Sequence, residues 1–89
     1  MKNYKFELEY NSQNISVDSE SFFEEEGNLP FDTHSLVHTK IMMEEIQKAL
    51  DLQDIYSLKK LEIVLRYELP FFAVNRRLIK NWLMDNFIY

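Results

Sequence analysis

One glycine and two prolines in eighty-nine residues leave this chain few places to turn tightly. Gly27, Pro30 and Pro70 are the whole supply of strong backbone punctuation. A turn-rich β-sandwich or barrel needs far more of it, and so does a disordered or low-complexity segment. The sequence is therefore committed to a few long elements joined by polar connectors. Its composition suits that plan, with 46% hydrophobic and 15% aromatic residues. Each buried aromatic side chain removes roughly 150–250 Å² from water, which offsets the small size of one domain near the lower limit for a self-sufficient core.

Periodicity places the elements. Tyr4, Phe6, Leu8 and Tyr10 alternate with Lys5, Glu7 and Glu9, the period of a half-buried strand. Asn11-Ser12-Gln13-Asn14 reads as a turn, and Ile15-Ser16-Val17-Asp18 resumes the alternation. The expectation is an antiparallel β-hairpin over residues 1–23. Residues 24–33 form an acidic connector in which Gly27 supplies backbone freedom and Pro30 extends the residue before it.

From residue 34 to 89 the pattern is helical. A first helix, about 34–51, has Asp32, Thr33 and Ser35 as candidate N-caps and a stripe of Leu36, Met43, Ile46 and Leu50. A second, about 55–69, is capped by Asp54 and carries Leu58, Leu61, Leu65 and Leu69. Pro70 ends or kinks it. A third, about 71–87, presents Phe71, Val74, Leu78 and Trp82, with Ile79 and Leu83 alongside. The expected fold is a single α+β domain: a hairpin followed by two to three packed helices.

Charge is sorted along the chain. Residues 1–35 contribute a net −6 and residues 36–89 a net +1, which gives −5 in all. The N-terminal third thus puts Glu7, Glu9, Glu20, Glu24, Glu25 and Glu26 at the disposal of a partner. A negative face attracts basic surfaces and raises the encounter rate.

Reaction chemistry finds little to work with. The absence of cysteine excludes disulfides, thiolate metal sites and thiol nucleophiles. No serine stands in a glycine-flanked elbow, and one glycine cannot build a phosphate-cradling loop. His34 and His38 are spaced to share a helical face, but the next acidic residue on that face, Glu45, lies roughly 10 Å further on. Two ligands fall short of a metal site. The expectation is no catalytic residue, no metal and no cofactor: a non-enzyme.

Two other surfaces invite partners. Lys59, Lys60, Arg76, Arg77 and Lys80 are spaced along the second and third helices, as a small DNA-binding regulator would use them to neutralise phosphates. Tyr56, Ile63 and Tyr67 form a second apolar stripe opposite the leucines of the second helix, to be covered by the hairpin or by a partner. The edge of strand 4–10 could in addition pair two copies or accept a foreign strand.

The N-terminus lacks the apolar run of a signal peptide, and no stretch approaches roughly 20 apolar residues. A soluble cytoplasmic protein is expected. In size, charge and want of motifs the chain resembles the small inhibitors encoded by bacteriophages and mobile elements, anti-CRISPR inhibitors among them. That resemblance covers no stretch of sequence and carries no residue roles. The leading reading is an acidic inhibitor or adaptor that docks on a basic protein surface, such as the groove of a nucleic-acid-handling enzyme. The alternatives are the DNA-binding regulator and a structural subunit of a larger assembly.

Overall fold

The computed structural model of the chain describes residues 4–11 and 20–87. Within them it is helical: a π-helical turn, Ser21–Glu25, then α1 (Leu36–Leu50), α2 (Ile55–Tyr67) and α3 (Arg76–Asn86). Helix α1 packs against both α2 and α3, and the π turn packs on α3.

Each helix starts where a short polar side chain replaces a missing backbone partner. Ser35 accepts the N–H of His38 at 3.2 Å, Asp54 that of Ser57 at 2.8 Å, and Asn75 that of Leu78 at 2.9 Å. Helix α1 ends on Asp51, held in the left-handed region at φ 53°, with the Leu52 N–H returning to the Gln47 carbonyl. Pro70 separates two helices, because Asn75 caps α3 and the intervening residues turn back on themselves through Ala73 N–H to Pro70 O. Phe71 and Val74 therefore belong to a connector rather than to a helical stripe, and both are exposed.

The core is assembled from Phe22 and Phe23 of the π turn and the inward faces of all three helices. Met42, Met43 and Ile46 come from α1, Leu61 and Leu65 from α2, and Ile79 and Leu83 from α3. The π turn explains a run that alternation could not: it buries Phe22 and Phe23 side by side and turns Glu24 and Glu25 to solvent.

The expected α+β architecture is not the one adopted. Among the described residues there is no β-strand and no hairpin; Asn11 makes one isolated parallel bridge to Ser35, its N–H bonded to the His34 carbonyl at 2.8 Å. The second strand, about Ile15–Asp18, falls outside the described residues. The alternation of residues 4–10 is nevertheless real. Tyr4, Phe6, Leu8 and Tyr10 are half-buried, whereas Lys5, Glu7 and Glu9 are exposed. Period two reports one buried side; it does not say that the backbone is a strand, and here it bends at Leu8 so that the adjacent Glu7 and Leu8 amides converge on one carboxylate of α2. Here the arm lies along α2.

Gly27 also has another purpose than turn freedom, since its φ is not positive. A Cβ there would collide with the carbonyl oxygen of Phe23 and with Arg77, whose Nε lies 2.5 Å away. Glycine is required so that the connector can close over that guanidinium. Gly27→Ala is expected to cost about 1–3 kcal/mol through overpacking, read as a lower urea midpoint. A variant as stable as the parent would show that the close approach is dispensable.

Candidate functional site

Among the described residues, Glu62 is the acidic side chain with the least accessible surface. It lies on the core-facing side of α2, four residues after Leu58 and three before Leu65, and only 1% of its surface is accessible. The N-terminal arm satisfies it. Tyr4 Oη donates to Oε1 and Tyr10 Oη to Oε2 at 2.7 Å. The backbone N–H of Glu7 approaches both oxygens at 3.1 Å, and that of Leu8 donates to Oε2 at 3.0 Å. Burial pushes the carboxyl up, but the two phenols and two amides together outweigh it and hold the group below its ordinary range. Burial, reinforced by the bonds to this carboxylate and by its charge, raises both tyrosines well above theirs. One carboxylate thus clamps the arm to α2. With the Glu7 and Leu8 amides so engaged, those two donors are not presented to an incoming strand.

The basic residues singled out for nucleic acid point elsewhere. Arg76 is buried against the face of Phe22, 4.1 Å from the ring centroid, and donates from Nε to the Pro30 carbonyl at 3.3 Å. Arg77 donates from Nε to the Phe23 carbonyl at 3.0 Å and from Nη2 to that of Glu24. Lys80 pairs with Glu45 at 3.2 Å and covers the Phe23 ring; Lys59 pairs with Glu7 at 3.1 Å; Lys60 stands over the Phe87 ring. Arg66, outside the expected set, bonds the Thr33 and Glu9 carbonyls and stacks on Tyr10. Arg66 and Lys59 thus hold the arm, Arg76 the connector and Arg77 the π turn, while Lys80 ties α3 to α1 and Lys60 ties α2 to the end of α3.

The acidic residues remain outside. Glu9, Glu20, Glu24 and Glu25 are exposed, as is Glu7 on the far side of its pair with Lys59, whereas Glu26 is half-buried. The negative face is therefore split between the arm and a π turn fixed by two buried phenylalanines. The stripe Tyr56, Ile63 and Tyr67 is not covered by the arm; it is 78%, 42% and 69% exposed. Sequence reasoning missed an adjoining feature, the α2–α3 connector, where Phe71 is 94% and Val74 66% exposed.

His38 is a packing residue. Its Nδ1 accepts the Asp32 N–H at 3.0 Å, and its ring meets those of Phe22 and Phe31. Burial and the nearby Arg76 guanidinium hold it below the usual histidine range, hence neutral at pH 7. His34 is exposed. Among the described residues no three histidine or carboxylate side chains converge as a metal-binding group. A shallow groove between α2 and α3, lined by Lys60, Val64, Glu68, Trp82, Asn86 and Phe87, mixes two aromatic rings with opposite charges. Among the described residues no helix is long and apolar enough to cross a membrane.

No family model, curated protein or solved structure matches this chain.

Proposed function

We propose that the protein is a non-enzymatic binding protein, an inhibitor or adaptor that docks through its carboxylates on a basic surface of a protein partner. One observation carries this reading. The cations of α2 and α3 are turned onto carbonyls, carboxylates and rings of their own chain, while Glu20, Glu24 and Glu25 stand exposed on a well-anchored turn. Such an arrangement leaves the outward field negative, which steers association with a basic partner. The regulator reading has no comparable support, because phosphate contacts by Arg76 and Arg77 require breaking bonds that seat the connector.

The test begins with capture of partners from native extract at low and high salt. The association rate of the identified partner is then measured with Glu20→Lys, Glu24→Lys and Glu25→Lys combined. These three positions are chosen because they are exposed, whereas Glu26 faces Arg76 and His38. The expected result is a rate lower by at least about tenfold, with a flattened salt dependence. An unchanged rate would remove the carboxylates from the contact.

A further inference from the structure

Both ring nitrogens of His38 face hydrogen-bond donors. The Asp32 N–H points to Nδ1 at 3.0 Å, and Nη2 of Arg76 lies 3.4 Å from Nε2. A neutral imidazole has one N–H and one acceptor nitrogen. The Asp32 bond therefore assigns the acceptor to Nδ1 and the hydrogen to Nε2, which meets the Arg76 guanidinium donor to donor. The ring is half-buried between Phe22, edge-on at 5.0 Å, and Phe31, tilted at 5.8 Å. Of the charged groups facing it, Asp32 of the connector and Glu26 at the end of the π turn favour a cationic ring, and Arg76 of α3 opposes one. Burial and Arg76 prevail and hold the ring below its ordinary value of 6.5.

This ring stands where three parts of the fold meet. Through Nδ1 it ties the connector to α1. Arg76, beside it, ties the same connector to α3, through its side chain to the Pro30 carbonyl and through its backbone N–H to that of Leu29. The Arg76 guanidinium also lies on Phe22, the fully buried anchor of the π turn. A second proton has one place to go on the ring, which is Nδ1. There it turns the acceptor of the Asp32 N–H into a donor and sets an imidazolium beside a guanidinium. We propose that His38 is a pH-sensitive pin: uptake of a proton from water at Nδ1 breaks its bond to Asp32 and loosens the connector together with the π turn that carries Glu24 and Glu25. Because the seated ring resists this proton, the loosened state takes it up first as pH falls. The pin holds fully above the ordinary value of about 6.5 and weakens as pH drops from there towards the lower seated value. Its consequence for a partner rests on the acidic-docking reading above: the carboxylates are displayed on a seated turn near pH 7 and on a loosened one near pH 5.

The free protein tests the pin without any partner. Imidazole NMR of the parent at pH 7 is expected to show Nδ1 without a hydrogen, and the His38 ring to titrate below 6.5. Protection of the Asp32 and Glu26 amides, which bond His38 and the Ser21 carbonyl, is followed by hydrogen exchange and corrected for the intrinsic rate. Between pH 7 and 5 it should fall several-fold. The ceiling is about 30-fold at pH 5, reached by a ring that takes its proton near 6.5 only when loosened. Amides in the middle of α2 should keep their protection. His38→Gln retains an acceptor and takes no proton, so it should flatten the dependence; His34→Gln, at an exposed position, should leave it unchanged. A hydrogen on Nδ1 at pH 7, a His38 ring that titrates at or above 6.5, protection that stays constant from pH 7 to 5, or an equal fall throughout α2 would each overturn the pin. A pin established in this way stands even where reversing Glu20, Glu24 and Glu25 leaves the association rate unchanged, a result that removes the docking reading alone.

Discussion

Glu62→Ala is expected to destabilise the protein by about 3–5 kcal/mol, the range found when one partner of a buried charged cluster is removed. The cost comes from what is left behind. Two phenolic hydroxyls and two backbone amides lose a shared acceptor, and a buried donor without a partner costs about 1–3 kcal/mol. The arm has one other route to satisfy those groups, which is to leave α2 for water. That route sacrifices the half-buried faces of Tyr4, Phe6 and Tyr10. Hydrogen exchange distinguishes the two responses: protection at Glu7 and Leu8 should vanish in the variant while amides in the middle of α1 stay protected. If those two amides exchange as slowly as in the parent, the carboxylate is not what holds the arm.

The same group sets a pH dependence whose sign follows from its bonding. Glu62 is held below its ordinary carboxyl range in the folded state, so the unfolded chain binds its proton first as pH falls. Its contribution is complete above the unfolded value of about 4.3 and is lost as pH drops through the lower folded value. Glu62→Gln keeps the size and removes the charge. The difference in urea stability between parent and Gln variant should therefore be constant from pH 7 to about pH 5, then shrink below about pH 4. A difference that persists undiminished at pH 3 would mean that shape, not charge, makes the clamp.

The limits of the sequence reading trace to particular residues. Ser35 and Asp54 were legible as caps because each is a short polar side chain just before an apolar period. Asn75 has the same chemistry but lies within an apolar arc if a helix is drawn from residue 71, and that register hid both the cap and the Phe71 connector. The arm was read correctly as one-sided, but wrongly as a strand and half of a hairpin. Its hydrogen-bond partner is a side chain 55 residues away, and no local pattern encodes that. A signal for it did exist: Glu62 interrupts the Leu58–Leu65 stripe, and the arm's apolar side carries two hydroxyls that need an acceptor. The contacts of the arginines were hidden for a related reason. Charge in a sequence names what a side chain can bind, whereas the fold decides which acceptors of its own backbone lie within reach. Buried Arg76 and exposed Arg77 both reach such carbonyls.

Phe22→Ala should be the most damaging single change in the acidic turn, at about 3–5 kcal/mol. Phe22 is fully buried and is the side chain around which that turn is organised. Arg76 lies against its face, Phe23 and His38 meet it edge-on at 4.9 and 5.0 Å, and Phe31 closes a further side at 6.4 Å. Truncation leaves a cavity and strips Arg76 of its aromatic neighbour, so a buried guanidinium keeps mainly its bond to Pro30. A domain of this length has a total stability of about 4–13 kcal/mol, so the alanine variant falls near the threshold of folding. Phe22→Leu provides the graded case: it fills most of the volume, forfeits the ring contacts, and should cost about 1–3 kcal/mol. Urea unfolding should rank the parent above Leu and Leu above Ala. Exchange at the Glu26 amide, which closes the π turn onto Ser21, should accelerate in the same order. A Phe22→Ala protein with parental stability would mean that the turn is not part of the core. Glu24 and Glu25 would then be charges on a loose loop, and docking through them would have to order that loop at the moment of binding, at a cost in affinity that a turn already seated on Phe22 avoids.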